Sequence, residues 1–352
     1  MRTRPLTASF LAILYLAVSS ILAEHRAQRS VQKYLESTIR VSKTAAAFGT
    51  RDARPTGLRL VLIGDSITRH QYLSLAYFLR HGKWFNPKKK PHLVNQFHFT
   101  RTAPTKAEGW ATFFRETNKL LSPFERCDCV REKWSDVTLV DNHVIENRYF
   151  YDPERNNTLT YLLGFGNTIS GLHGRISPED AFRDIPAEYQ NINSTWDWRY
   201  MDWGEALEKY VARLAATHVL MNVGFWPHDF DTNKETRDNI VNAFKKTGLI
   251  GIWRTNSYLY NQEIRPLAVN ADEAMKGLFG NNVLDVNWTY GLKPKYYWDD
   301  KHFNEPVYRV MNEELLEMVG HRFPSNYEKQ SLEPLLRQAT KDKKETDNKK
   351  RK

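Results

Sequence analysis

Arg59-Leu60-Val61-Leu62-Ile63-Gly64-Asp65-Ser66-Ile67-Thr68-Arg69-His70-Gln71-Tyr72 decides how the chain is read. Four consecutive apolar residues, Leu60 to Ile63, are too few for a helix and stop abruptly at Gly64-Asp65-Ser66. Beyond them Ile67, Leu73, Leu75, Phe78 and Leu79 recur at a spacing close to that of one helix face. The pattern predicts a buried strand, a tight turn and a helix N-terminus, with Ser66 on the turn. In an open α/β sheet this is the carboxyl end of a strand, where reactive groups are presented. Backbone N–H groups at the start of the helix can hold a developing oxyanion there. Asp65 or Ser66 could equally be a plain helix cap. The stretch by itself leaves catalysis and capping both open.

A chain of 352 residues holds one large domain or two ordinary ones, and 41% apolar with 13% aromatic residues is ample for a core. The net charge of +10 suggests nucleic acid until it is located. Residues 1–40 carry six Lys/Arg against two Asp/Glu, and residues 341–352 carry seven against three. Only +2 remains for residues 41–340. A nucleic-acid footprint belongs on the folded domain, so no nucleic-acid partner is expected.

Arg2 and Arg4 precede an uncharged, mostly apolar run over residues 6–23, which Glu24-His25-Arg26 ends. A cleaved signal peptide has this charge order, with a small residue such as Ala23 at its end. The run is also just long enough to span a bilayer, with the basic residues on the cytosolic side and the body in the lumen. Ile21 suits a cleavage site poorly, which favours a type II signal anchor. Residues beyond Ala23 therefore enter the secretory pathway, held in the Golgi membrane by residues 1–23 or secreted if these are cleaved. Three glycosylation sequons, at Asn156, Asn193 and Asn287, agree. The two cysteines, Cys127 and Cys129, cannot staple distant parts of the fold, and a bridge between them would be strained. They read as a local redox feature or a buried pair, and too few ligands accompany them for a metal site.

Residues 24–56 are polar and read as a stem, residues 57–325 as the catalytic domain, and residues 326–352 as a charged, disordered tail. Residues 81–133 read as a long irregular region carrying Pro87-Lys88-Lys89-Lys90-Pro91, a solvated charge run or a magnet for an acidic substrate. Residues 137–140, 146–151 and 158–163 are rich in Val, Tyr, Phe and Thr and read as strands. Glycines make the chain turn sharply near residues 167–175. Trp196, Trp198, Tyr200 and Trp203 crowd one polar stretch, as a sugar-stacking wall or as a core edge. Helices are then expected at 205–216, 239–246, 271–279 and 307–319, with strands at 218–223, 249–253 and 283–286. This alternation predicts an α/β fold, a mostly parallel sheet with helices on both faces.

Nucleophilic serine chemistry needs a base in reach, a carboxylate to orient it and oxyanion donors. His302 lies just before the last helix, with Asp299 three residues earlier and Asp300 as a competing orienter. Asn222 ends a middle strand, where its amide would project at the same sheet edge as Ser66. Each residue has a dull reading as a surface or turn residue; their joint placement at strand ends of one sheet points to a site. His228, Asp229 and Asp231 form a weaker metal-binding alternative and read better as a polar turn.

Gly64-Asp65-Ser66-x-x-Arg69-x-x-Tyr72, Asn222-x-Gly224-x-Trp226 and Asp299-x-x-His302 followed by Met311-Asn312-Glu313-Glu314-Leu315 occur in that order. Together they resemble the SGNH (GDSL-like) hydrolase superfamily. Within it they are similar to the PC-esterase branch, which includes the plant trichome-birefringence-like polysaccharide O-acetyltransferases. Trp253-Arg254-Thr255 is similar to a strand-end Arg-Thr of that branch. The likeness runs over residues 59–320, although the several cysteines of the plant enzymes are missing. The resemblance implies an SGNH-like three-layer sandwich with Ser66 as nucleophile, His302 as base and Asp299 as its orienter. It implies an oxyanion hole from the Ser66 amide, Asn222 and a glycine, with Gly174 preferred over Gly171, and places Arg69 and Trp226 at the substrate. The expected activity is transfer of an acyl group, acetyl first, to or from glycan hydroxyls, without cofactor or metal. The partners would be a polysaccharide and an acyl donor, and the membrane if residues 1–23 are retained. A carbohydrate acetylesterase and a glycan-binding pseudoenzyme using Trp196, Trp198 and Trp226 are the alternatives.

Overall fold

β1, Arg59–Gly64, runs through the middle of the sheet, hydrogen-bonded on both sides to parallel neighbours. The computed structural model describes residues 52–85, 106–129, 146–173, 197–223, 232–257, 266–290, 292–299 and 301–330. The remaining strands are β2 (Glu125–Cys129), β3 (Glu146–Asp152), β4 (Asn157–Phe165), β5 (Thr168–His173), β6 (Asp197–Met201), β7 (His218–Met221), β8 (Ile250–Arg254) and β9 (Val283–Leu284). The main order is β2-β3-β4-β1-β7-β8-β9. Pairing from β4 through β9 is parallel, while β2, β3 and β4 pair antiparallel, and β5 and β6 extend the antiparallel side from β4. The sheet is therefore mixed and mostly parallel along its main path, and the fold class is α/β.

Successive strand residues point to opposite faces, and each face has its own core. Leu60, Leu62, Leu220, Ile252 and Leu284 pack on one side with α1 (Ser66–His81), α2 (Lys106–Leu121) and α5 (Glu305–Met318). Val61, Ile63, Val219, Met221 and Trp253 pack on the other with a helical segment over residues 203–214, α3 (Lys234–Thr247) and α4 (Pro266–Phe279). Burial on both faces is what the unbroken apolar run Leu60–Ile63 encodes.

The turn from β1 into α1 is one residue long. Asp65 is its N-cap, accepting a 3.0 Å hydrogen bond from the Ile67 N–H, and Gly82 ends the helix in a left-handed conformation at φ 67°. Gly64 has no room for a side chain. A Cβ there would run into Thr68 Oγ1 and stand 2.9 Å from the Asn222 carbonyl oxygen. The tight approach brings β7's end against β1's end, and the Asn222 N–H donates to the Ile63 carbonyl at 3.0 Å.

Some sequence expectations shift. The region 81–133, expected to be irregular, contains α2 and β2. Phe113, Phe114, Thr117 and Leu121 of α2 are buried at helical spacing, a signal diluted by the polar residues between them. β2 reads Glu-Arg-Cys-Asp-Cys, and pairing with β3 overrides its poor strand composition. Of the turn expected over 167–175, the described residues show one at Gly166–Asn167, followed by β5 over Thr168–His173, and residues 174–175 lie outside them. Cys127 and Cys129 are joined in a disulfide and buried, with Cα atoms 5.4 Å apart, within the usual range for a bridge. Residues 52–56, read as stem, already pack on the domain: Arg54 donates to the Leu79 and Arg80 carbonyls, and Asn157 donates to the Pro55 carbonyl. At the other end Tyr327 and Gln330 hydrogen-bond to Glu313, so the folded unit runs past 325. The strand expected at 137–140, residues 1–51 and residues 331–352 lie outside the described residues.

Gly64→Ala is expected to destabilise the protein by about 1–3 kcal/mol in urea unfolding, as overpacking does. Gly164→Ala is the control: its Cβ would meet nothing nearer than Ile63 Cγ2 at 3.4 Å, so little change is expected. Equal effects at the two glycines would remove the close-approach argument.

Candidate active site

Because Asp65 caps α1, Ser66 is left as the first residue of the helix, partly exposed. Its hydroxyl lies 2.8 Å from His302 Nε2, across 236 residues of sequence. His302 Nδ1 lies 2.9 Å from Asp299 Oδ2. A carboxylate only accepts, so Nδ1 carries the proton, Nε2 is the acceptor, and the Ser66 O–H donates to it. The structure thus brings Ser66, His302 and Asp299 into one line of hydrogen bonds.

The loop that carries Asp299 and His302 is held by its own backbone. Tyr297 bridges Phe303, and the Trp298 N–H donates to the His302 carbonyl at 3.1 Å. Asp299 Oδ1 accepts from the Lys301 and His302 N–H groups at 2.8 and 2.7 Å. One carboxyl oxygen therefore fixes the turn while the other orients the imidazole. Burial alone would raise the Asp299 pKa; the His302 hydrogen bond and charge and the two backbone N–H groups outweigh it and hold the carboxyl well below the usual range. Asp300, the competing orienter, lies outside the described residues, as do Gly174, Gly224, Trp226 and Asn193.

Asn222 occupies the expected strand end, but its amide is turned inward. Nδ2 donates to the Arg254 carbonyl at 2.9 Å and to Asn256 Oδ1 at 3.1 Å, while Oδ1 accepts from Arg254 Nη2 at 2.5 Å. With both hydrogens committed, the side chain offers no donor to an oxyanion in this arrangement, which corrects the expected role. The Ser66 N–H, at the first turn of a 16-residue helix, has no acceptor within that helix. The helix dipole adds a favourable potential for negative charge there.

Arg69 was expected to touch substrate; the structure buries it at 4% exposure instead. Its guanidinium pairs with Glu146, which also pairs with Arg148, and Arg148 reaches Glu125 at 3.0 Å. Tyr72 donates to Glu125 at 2.8 Å and Arg148 to Thr117 at 2.8 Å. From α1, Arg69 thus neutralises a buried carboxylate of β3, while Arg148 of β3 reaches the carboxylate of β2. Burial pushes the Glu125 carboxyl up, against the pull of Arg148.

Two neighbours of the site were not assigned roles from sequence. His70, one helical turn after Ser66, packs its ring edge-on against His302 at 4.9 Å and Trp298 at 4.8 Å. The spacing of four residues on α1 was the available signal. Arg254, fully buried at the end of β8, links Asn222 to Gln71 Oε1, 2.8 Å away on α1. Among the described residues no carboxylate lies within salt-bridge distance of it. Burial lowers its pKa, with Asp65 the foremost charge pulling the other way. Asp272 extends the network, accepting from Asn256 and Trp253, and burial lifts its carboxyl to about 6.

Of the sequons, Asn156 sits half-buried in the β3–β4 turn at φ 54°, and Asn287 is half-buried as the first residue of a short 3-10 turn, Asn287–Thr289. Trp203 is a core residue, its indole donating to the Gly166 carbonyl at 3.0 Å. Among the described residues no cluster of His, Cys, Asp or Glu could hold a metal, and no helix is long and apolar enough to cross a membrane. His228, Asp229, Asp231, Trp196 and residues 1–23 lie outside them. No family model, curated protein or solved structure matches the chain.

The low folded pKa of Asp299 has a definite pH signature. The stabilisation is complete above the unfolded value near 3.8 and is lost as pH falls below it, because the unfolded chain takes up the proton first. Asp299→Asn should cost about 2 kcal/mol of stability at neutral pH. The gap to wild type should narrow between about pH 4.5 and about pH 3. A gap independent of pH in chemical denaturation would show that the carboxylate is not held by these donors.

Proposed function

We propose that the chain is a serine-dependent acyltransferase or esterase of the SGNH type, moving an acyl group to or from glycan hydroxyls. The observation that supports this most is the Ser66–His302–Asp299 line, with Ser66 at the N-terminus of a helix on the carboxyl end of a central parallel strand. The likeness of the Gly64-Asp65-Ser66 and Asp299-x-x-His302 blocks to the PC-esterase branch supports the glycan as acceptor and acetyl as the first acyl group to try. On that likeness the sheet and its two helical layers would be an SGNH three-layer sandwich.

In the proposed reaction Ser66 Oγ attacks the carbonyl carbon of the acyl donor as its proton passes to His302 Nε2. The Ser66 N–H and the α1 dipole stabilise the oxyanion. His302 returns the proton to the leaving atom, and an acyl ester remains on Ser66. A sugar hydroxyl then gives its proton to His302 and takes the acyl group; water in its place makes the enzyme an esterase. Asp299 keeps the imidazole in the working tautomer throughout. We place the enzyme in the secretory pathway, anchored in the Golgi membrane by residues 1–23 or secreted after their removal, with a polysaccharide and an acyl donor as its partners.

Ser66→Ala and His302→Ala should each lower kcat on an acetylated or acetyl-accepting polysaccharide by at least ~10³-fold, with unchanged circular dichroism. Asp299→Ala should lose roughly one to two orders of magnitude less. Near-wild-type turnover by either Ser66→Ala or His302→Ala would overturn the proposal.

A further inference from the structure

Three residues of α1, each four positions after the last, meet the segment that carries the base. Ser66 Oγ lies 2.8 Å from His302 Nε2, His70 packs against His302 and Trp298, and Ser74 donates to Glu305 at 2.8 Å. Side chains at i and i+4 share one helix face, so these contacts succeed one another about 6 Å apart along α1. The helix that carries the nucleophile therefore also docks the segment that delivers the base. Of the two further contacts, His70 is the one that touches the imidazole itself.

His70, Trp298 and His302 form a corner of three rings. His70 stands at 77° to His302 with centroids 4.9 Å apart, and at 82° to Trp298 with centroids 4.8 Å apart. Trp298 stands at 89° to His302 at 6.0 Å. Edge-to-face pairs at such separations are favourable, and rings packed at right angles resist rotation of any one of them. His70 is itself held, at 6% exposure, beside Phe113 at 6.2 Å and Tyr308 at 5.9 Å. His70 and Trp298 also line a cavity of about 50 Å³ that His302 does not reach. Shortening His70 would open the surroundings of the base into that space.

The hydrogen bonds that align His302 differ between the two halves of acyl transfer. Before the reaction both ring nitrogens are held, Nδ1 by Asp299 at 2.9 Å and Nε2 by Ser66 at 2.8 Å. Once Ser66 Oγ carries an acyl group it has no proton to donate, and the Nε2 lone pair and the ester oxygen are both acceptors. The imidazole is then tied at Nδ1 alone and pivots there unless a packed neighbour holds it. We propose that His70 is a positioning residue for the second half of the reaction, its ring keeping His302 in line while Ser66 is acylated. The inference rests on the proposed acyl transfer at Ser66. In that half the acceptor hydroxyl gives its proton to His302 Nε2 and its oxygen bonds to the acyl carbon. The bond from that carbon to Ser66 Oγ breaks, and the proton passes from Nε2 to Oγ.

The full chain with p-nitrophenyl acetate separates the two halves. With enzyme in excess, release of p-nitrophenolate gives the acylation rate. Decay of the acetyl adduct on Ser66, followed by acid-quenched intact mass once the ester is consumed, gives the deacylation rate. His70→Ala should slow deacylation about tenfold, the loss of one aromatic pair, and acylation by less than about twofold. His70→Phe keeps a flat ring and should restore most of the deacylation rate. His70→Gln keeps polar atoms without a ring and should stay as slow as the alanine variant. Equal slowing of both halves in a folded His70→Ala, no slowing at all, or recovery with glutamine overturns the role of the ring, while the wild-type adduct leaves acyl transfer standing. Should His70→Phe not fold, the ratio of the two rates in the alanine and glutamine variants decides alone. Wild type with no adduct on Ser66 at any quench time overturns the acyl-transfer reading, and the role of His70 with it.

Discussion

The site depends on how closely two strand ends and one helix start can approach. Gly64 has no Cβ because Thr68 and the Asn222 carbonyl occupy that space, and β1 must pass into α1 within one residue. The turn is affordable only because Asp65 supplies the cap that the helix needs. Capping and catalysis, which compete for Asp65 and Ser66 when the sequence is read alone, are divided between the two residues. One saturates an N–H of the first turn, and the next is left at the opening of the helix, where its hydroxyl meets an imidazole delivered from the far end of the chain.

The second requirement is a base that arrives in one orientation. Asp299 achieves this with few parts, since its two oxygens serve a backbone turn and a ring N–H at once. Beneath the site the protein buries charge freely. Arg69, Arg148, Glu146 and Glu125 compensate one another between α1, β2 and β3. Removing one member of such a set is far costlier than its net contribution suggests, because the others are left unpaired. Arg254 is different: it is buried against the neutral amides of Asn222 and Gln71. Its positive charge acts on Asp65, the cap of the Ser66 turn, and its hydrogen bond to Asn222 fixes that amide facing inward.

The strand–turn–helix at residues 59–81, the later alternation of helices and strands, and the pairing of Asp299 with His302 were legible from local pattern. Each is written in short-range terms: an apolar run, a helical period, a carboxylate three residues from an imidazole. The joining of Ser66 to His302, 236 residues apart, rested instead on the resemblance of the motif blocks. What escaped is set by long-range contact. β2 is a charged pentapeptide that becomes a strand because β3 pairs with it and Arg148 neutralises Glu125. Arg69 looks like a substrate ligand until Glu146, 77 residues away, claims it. Asn222 was placed at the right sheet edge, but which way its amide points follows from Arg254 at the end of β8 and Asn256 just beyond it, which spacing does not encode.

The central claim is that Ser66 is a nucleophile activated by His302. The most direct measurement is intact mass and peptide mapping of the full chain, acid-quenched within milliseconds of exposure to an activated acyl ester. The account predicts one acyl adduct on the peptide that contains Ser66, absent in Ser66→Ala and strongly reduced in His302→Ala. An adduct on any other residue, or none at the earliest quench from folded protein, would contradict it.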